Sequence, residues 1–306
     1  MHFQKLDLNL LVALDALLEE RSVSRAADRL NLSQSAMSSA LSRLRDYFGD
    51  ELLMPIGRRM EPTALALSLE PAVRDILHRV RVTVQTRPTF DPATAQRRFR
   101  IMTSDYLLEV LLAAVVRELA TLGPGIQLQV LPSNELSFAL FQKGDVDLII
   151  APEENMMADH PRSFLFEETF SCVVWSGNTL VQEPFTLQQW LAMSHVVVHF
   201  GRDQLTSFER WFESQGDTQA SGRRVDIIAP SFGVVPHLIV GTQRIATMHT
   251  RHARLYEKLL PLRVLEPLPG FPTMRETMQW HRHLDTDPAI RWLVDLLQTF
   301  AASQSP

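Results

Sequence analysis

Five serines, Ser33, Ser35, Ser38, Ser39 and Ser42, crowd the stretch NLSQSAMSSALSRLR over residues 31–45, beside Gln34, Arg43 and Arg45. Serine is a mediocre helix residue because its hydroxyl competes for backbone partners. Yet Met37, Leu41, Leu44 and Phe48 recur at helical spacing. At about 100° per residue these four form one stripe. Ser35, Ser38, Ser39 and Ser42 form another facing away from it, with Gln34 and Arg45 on its shoulder. Small hydroxyl residues let a helix approach a surface closely while still donating hydrogen bonds. The major groove of DNA suits such a face: serine to phosphate or to either base type, glutamine to adenine, arginine to guanine. The alternative is a plain solvated face. Such faces are usually built from Glu and Lys, and residues 31–45 contain neither.

Other chemistries find less support. The ten histidines are dispersed. His281 and His283 in HRH would point to one face of a strand and could seat a metal, but no carboxylate motif accompanies them. Cys172, the single cysteine, falls mid-strand and reads as a small buried hydrophobe. One cysteine forms no internal disulfide, which fits a reducing cytoplasm. There is no glycine-rich phosphate loop and no nucleophile elbow. A small-molecule enzyme or metal-binding sensor is therefore the weaker reading, and no cofactor is expected.

Several elements must position the serine face. Three short helices open the chain: one after Asp7 carrying Leu10, Leu11, Leu14, Leu17 and Leu18, one after Ser22 carrying Ala26, Ala27 and Leu30, and one from Ser33 to near Phe48. A short hairpin follows, around Pro55, Gly57 and the basic pair Arg58–Arg59. Residues 64–87 predict a long helix whose Leu65, Leu69, Ala72, Ile76 and Val80 resemble a coiled-coil seam, kinked or slightly broken at Pro71. A second copy of the chain is the simple partner for that seam. From Phe99 onward strands alternate with helices, first to residue 152 and again from Phe170 to residue 260. A strand, ETMQWHR, and a helix with Pro288 at its first position close the chain. The alternation implies parallel sheets in two halves, with a small-ligand cleft at the strand ends between them.

The totals agree with this division. The chain has 306 residues, 45% apolar and 21% charged, with a formal net charge of −5. It shows neither a secretory signal nor a membrane-spanning run. Residues 1–63 hold eight bases against nine acids, so phosphate affinity per protomer is modest. That favours a dimer or larger assembly on repeated half-sites.

RSVSRAADRLNLSQSAMSSALSRLRDYFGDELL, with MEPT and the long helix after it, resembles the LysR-type transcriptional regulators. LDLNLLVALDALLEER, RRFRI, SDYLLEVL, HPRSFLFEET, RIATM and TDPAIRWL are similar to the NodD/NahR-like branch, whose members are aromatic-responsive activators and include flavonoid sensors. One departure is Ser35, where a proline is more usual. The resemblance implies an N-terminal all-α winged helix-turn-helix over residues 1–63 and a linker and dimerisation helix over 64–88. It implies a periplasmic-binding-protein-like α/β effector domain over 89–306, with subdomain I about 89–160 and 270–306 and subdomain II about 161–269. It also implies a cytoplasmic activator, dimeric or tetrameric, whose partners are a double-stranded DNA operator, RNA polymerase and a small aromatic effector. That effector would be a flavonoid or, alternatively, a simple aromatic acid such as a salicylate.

The DNA-contacting set expected is Ser22, Arg25, Ser33, Gln34, Ser35, Ser38, Ser39, Ser42, Arg43, Arg45, Arg58, Arg59 and Thr63. Strand ends supply the effector-contacting candidates. They are Thr103, Ser104 and Asp105 in MTSDYL, Ser133 after the second strand, and Pro152 and Glu153 after the third. His199 and Phe200 end HVVVHF, Ser231 and Phe232 follow DIIAP, and Met248 and Arg251 lie at the next junction.

Overall fold

Asp7, Ser22 and Ser33 each cap a helix, as their positions predict. In the computed structural model, which describes residues 6–56, 59–85, 90–200, 204–215 and 223–303, Asp7 accepts from the Asn9 N–H at 2.9 Å and starts α1 (Leu8–Glu20). Ser22 accepts from the Arg25 N–H and starts α2 (Val23–Arg29). Ser33 accepts from the Ala36 N–H at 3.1 Å and starts α3 (Gln34–Phe48). Each such cap is worth about 1 kcal/mol. Gly49 ends α3 at φ 65°, where a side chain would be strained. Leu14, Leu17, Met37 and Leu44 are fully buried where the three helices meet.

A hairpin wing follows. β1 (Leu53–Ile56) and β2 (Arg59–Pro62) pair antiparallel, Leu53 opposite Pro62 and Ile56 opposite Arg59. Gly57 and Arg58 lie outside the described residues. The long helix α4 (Ala64–Gln85) is continuous through Pro71, so the expected break is absent. Its Ala66 and Val73 are buried and its Leu69 and Leu77 pack on the same core. Leu65, Ala72, Ile76 and Val80, most of the expected seam, form a separate exposed row.

The chain divides into two compact units, residues 1–87 and 88–306. The second holds two sheets. In the first, β3 (Arg97–Thr103), β4 (Ile126–Pro132) and β5 (Leu148–Pro152) are parallel. Two further strands, β6 (Arg162–Glu168) and β13 (Met274–Trp280), complete the order β4-β3-β5-β13-β6, with β13 antiparallel to both neighbours. In the second sheet, the order is β10-β8-β11-β7-β12. There β8 (Ser194–Phe200) runs parallel to β10 (Arg224–Ala229) and β11 (Ile245–His249). The one strand of that order running against the others is β7 (Phe170–Trp175), antiparallel to β11 and to β12 (Leu262–Leu265), while β9 (Gln204–Leu205) pairs antiparallel with β8. Both sheets are thus mixed rather than parallel throughout. The antiparallel strands are those that cross between sheets, and a strand arriving from the other sheet needs no crossover helix to set its direction.

The crossings fall at Thr169, between β6 and β7, and between Leu265 and Met274. The expected subdomain boundary at residue 161 therefore moves, because β6 belongs to the first sheet. Helices connect the remaining strands: α5 (Asp105–Leu107), a π turn over Leu108–Leu112, α6 (Ala113–Leu122) and α7 (Glu135–Gln142) around the first sheet. Around the second lie α8 (Leu187–Ala192), α9 (Ser207–Ser214), α10 (Val235–Ile239) and α11 (Thr250–Glu257). The closing helix is α12 (Pro288–Ser303). The helix expected over 231–242 is confined to α10, since Ser231, Phe232 and Gly233 lie in a turn before it. HRH is not on a strand: β13 stops at Trp280, and His281 caps a 3₁₀ turn over Arg282–Leu284. The described residues hold no group of three His, Cys, Asp or Glu able to share a metal ion. Nor do they hold a helix long and apolar enough to cross a membrane.

Candidate functional site

The outer face of α3 is built as the wheel predicts. Gln34, Ser35, Ser38, Ser39, Ser42 and Arg43 are exposed while Met37, Leu41 and Leu44 are buried. Gln34, Ser38, Ser39 and Ser42 make no side-chain hydrogen bond to the described residues, so their donors and acceptors are uncommitted. Ser33 and Ser35 share a hydroxyl contact at 3.0 Å at the start of the helix. Arg43 remains 57% exposed, with Asp7 at 3.8 Å. Arg25 is exposed but engages the carboxylate and carbonyl of Glu20. Ser22, half-buried, is held in its capping role. Arg59 opens β2, and Arg58 is outside the described residues.

Two members of the expected DNA set are committed inside the domain. Arg45 donates to the carbonyls of Glu51 at 2.8 Å and Leu53 at 2.7 Å, and its guanidinium lies 3.1 Å from the Glu51 carboxylate. It fastens the hairpin to α3. Thr63 donates to Asp50 at 2.6 Å and accepts from the Ala66 N–H at 3.1 Å, which makes it the cap of α4.

In the second unit a cavity of about 380 Å³ opens between the two sheets, within the range of small-ligand sites. Ser104, Ser133 and Pro152 line it from the first sheet, and Phe200 and Phe232 from the second. The other expected contacts do not line it. Thr103 is buried and donates to the Ile150 carbonyl at 3.0 Å. Asp105 accepts from the Gly233 N–H at 2.7 Å. Glu153 pairs with Arg275 at 2.8 Å. Arg251 lies over the Phe166 ring at 4.4 Å, with Glu168 at 3.8 Å. Met248 is buried in the core beside Val198 and Ala253. His199 and Ser231 are half-buried away from the cavity. Strand alternation explains two of these: Phe200 and His249 line the cavity, so His199 and Met248, one residue earlier, belong to the opposite face.

The side chains that the sequence reading missed form the cavity floor. His249 stacks on Tyr106, with ring centroids 3.9 Å apart and planes 12° from parallel. Phe232 meets His249 edge-on at 4.7 Å, and Phe200 meets Phe232 edge-on at 5.4 Å. The Tyr106 hydroxyl donates to Glu168. Burial holds this phenol well above its ordinary range, with Glu168 and Glu276 adding to the effect. Burial pushes the His249 imidazole down to about 3, aided by His252. The Glu276 carboxyl is pushed up to about 8 by burial, with Glu168 and Glu154 acting in the same direction. No local signal in the sequence marked Glu276, because its strand MRETMQW also carries the polar Arg275, Thr277 and Gln279.

A polar seam joins the halves beside this floor. Besides Asp105 to Gly233, Glu109 lies 3.0 Å from His252 Nε2, and the Tyr256 hydroxyl donates to the Gly233 carbonyl at 3.2 Å. Arg210 spans the cavity from α9 to Glu154 at 2.9 Å and Asn155 at 3.2 Å.

Nothing in this arrangement pairs a nucleophile with a base around a reacting atom. It offers a recognition surface of rings and hydrogen-bonding groups. The comparisons agree. Residues 8–67 match the bacterial regulatory helix-turn-helix protein family, lysR type, and residues 92–302 match the LysR substrate binding domain. Nodulation protein D 1 of Rhizobium meliloti is 40% identical, covering 100% of this chain and 98% of that protein. Nodulation protein D 1 of Mesorhizobium japonicum is 42% identical, covering 100% of this chain and 97% of that protein. The crystal structure of a transcriptional regulator from Pseudomonas aeruginosa is similar at a TM-score of 0.64 and 27% identity, over 97% of this chain and 98% of that one. The chain thus belongs to the LysR family of bacterial transcriptional regulators, a DNA-binding regulator with an effector-binding domain rather than an enzyme.

Proposed function

We propose that this regulator reads a double-stranded operator through the outer face of α3 and activates transcription when a small aromatic effector occupies the cleft. The carrying observation is the uncommitted face of Gln34, Ser38, Ser39 and Ser42, opposite a buried stripe that fixes its direction. Ser33, Ser35, Arg43 and Arg25 extend the proposed contact set, together with Arg58 and Arg59 of the hairpin. The exposed row Leu65, Ala72, Ile76 and Val80 on α4 supports a homodimer, or a tetramer of two such dimers. Dimerisation also compensates for the low net charge of residues 1–63, since two heads engage two half-sites. The regulator works in the cytoplasm, with RNA polymerase as its further partner.

The effector reading rests on the rings of Tyr106, Phe200, Phe232 and His249 around a 380 Å³ cavity, which suit a flat aromatic ligand. The similarity to nodulation protein D favours a flavonoid. Arg210 is the observation that favours the second reading, a salicylate-like aromatic acid, because it is the one cation among the described lining residues.

Ser38→Glu tests the DNA assignment. It places a negative charge toward phosphates without touching the core. The expected result is loss of operator retardation in a gel-shift assay with an unchanged circular dichroism melt; normal retardation overturns the assignment. A thermal-shift panel of flavonoids and salicylates tests the effector, since a ligand bound to the native state raises its melting point.

A further inference from the structure

Two polar atoms at the cavity are buried without a protein partner among the described residues: Glu276 Oε2 and His249 Nδ1. Glu276 is 1% exposed and His249 5% exposed. An unpartnered buried polar atom costs about 1–3 kcal/mol, so native proteins rarely keep one that nothing satisfies. Both belong to elements that hold them rigidly. Glu276 lies on β13 between Pro152 of β5 and Phe166 of β6. His249 ends β11 and is clamped between Tyr106 and Phe232.

The charge around them decides what they can take. Burial and the neighbouring Glu168 and Glu154 keep the Glu276 carboxyl protonated at neutral pH, and burial keeps the His249 ring neutral. A protonated carboxyl offers one O–H donor and one carbonyl acceptor, and a neutral imidazole offers one donor and one acceptor. The nearby cations among the described residues are already engaged. Arg210 is 2.9 Å from Glu154, Arg275 is 2.8 Å from Glu153, and Arg251 is 3.8 Å from Glu168 and over Phe166. A carboxylate lowered onto this floor would meet Glu276 and, behind it, Glu168, with no free cation among the described residues around it to offset its desolvation.

We infer that Glu276 and His249 are a hydroxyl-reading pair on the cleft floor, which accepts an uncharged hydroxylated aromatic and excludes aromatic carboxylates. The inference rests on the reading of the cleft as an aromatic effector site and divides the two effector classes named for it. The ring of the ligand packs against Tyr106, His249 and Phe232, and its hydroxyl hydrogen-bonds with Glu276 or His249.

Isothermal titration of the full-length protein tests this with three probes: apigenin, a hydroxylated flavone; salicylate; and salicylamide, its uncharged counterpart. Wild type is expected to bind apigenin, and to bind salicylamide about tenfold or more tightly than salicylate. Glu276→Leu is expected to weaken apigenin about tenfold. Glu276→Gln keeps a donor and an acceptor and is expected to stay within about threefold of wild type. Salicylate bound as tightly as salicylamide, or apigenin bound equally by Glu276→Leu and wild type, overturns the inference and leaves the aromatic-effector reading standing. Wild type binding none of the three overturns that reading and the inference with it. The salicylate–salicylamide comparison needs no variant, so it decides even where Glu276→Leu folds poorly.

Discussion

Glu276 holds its proton to about pH 8 in the folded protein, because burial, Glu168 and Glu154 all disfavour its anion. Its ordinary value is 4.5. The native state binds this proton more tightly than the unfolded state, so its stabilising contribution is full below about pH 4.5 and is lost as pH rises through about 8. His249 has the opposite sign. Its native value is depressed from 6.5 to about 3, so its contribution is present above 6.5 and is lost as pH falls. Melting curves of wild type and Glu276→Gln should therefore diverge in favour of the variant between about pH 5 and 8.5. A pH-independent difference would show that Glu276 is ionised throughout. His199→Ala, by contrast, should leave the effector response unchanged in a reporter assay, whereas His249→Ala should weaken it; the reverse pattern would return His199 to the site. These pairs show why the site was only half legible in the sequence. Strand ends pointed to Ser104, Ser133, Pro152, Phe200 and Phe232, all of which line the cavity. At His199 and Met248 the choice was one residue off, because the face a side chain takes depends on pairing register, which an apolar run such as HVVVHF does not reveal.

Arg45 acts on the element scale. Its guanidinium ties α3 to the start of the wing through the carbonyls of Glu51 and Leu53. Arg45→Met removes a charge-assisted bond to the partly buried Leu53 carbonyl and an exposed one to the Glu51 carbonyl, and should lower stability by about 1–3 kcal/mol in chemical denaturation. Its operator preference, measured on a panel of base substitutions, should match that of wild type. Lost preference with unchanged stability would make Arg45 a base reader after all. The helix wheel placed Arg45 beside the serines correctly but could not see the carbonyls of the next element. Elements governed by local signals were read well: Asp7, Ser22 and Ser33 cap their helices, and IQLQVLP is β4 with the expected limits. Strand β6 was missed for a physical reason. Phe164 is 43% exposed while Glu168 is 2% exposed, so its polarity runs against the hydrophobic-in pattern that marks a strand. Strand β12 has four residues, too few for a period to register.

At the scale of the molecule, the effector unit is two sheets joined by crossing strands and by the seam of Asp105, Glu109, Gly233, His252 and Tyr256. Its partners are far apart in sequence, 128 residues for Asp105 and Gly233 and 143 for Glu109 and His252, which kept the seam out of reach of any local pattern. Tyr106 lines the cavity and stands between Asp105 and Glu109 on the same helical segment, where a π turn begins at Leu108. An occupant that packs on Tyr106 therefore bears on the segment that holds the seam. A ligand shifts a conformational equilibrium only through its differential affinity for the two states, and weakening the seam-joined arrangement lowers the apparent affinity of a ligand that favours it. Gly233→Ala tests this. A Cβ there would lie 2.6 Å from Glu109 Oε1 and 3.4 Å from Asp105 Oδ2. The Glu109 carboxylate, 33% exposed, can swing into water, and its bond to the buried His252 would then be lost. Losing that partner leaves His252 Nε2 unsatisfied and costs about 1–3 kcal/mol. Apigenin affinity should fall by about five- to tenfold while operator retardation without ligand stays at the wild-type level. Glu109→Ala, which removes the same bond without adding a Cβ, should reproduce the loss. Unaltered apigenin affinity in both variants, alongside the expected drop in melting temperature, would show that the seam supports the fold but is not coupled to the cleft.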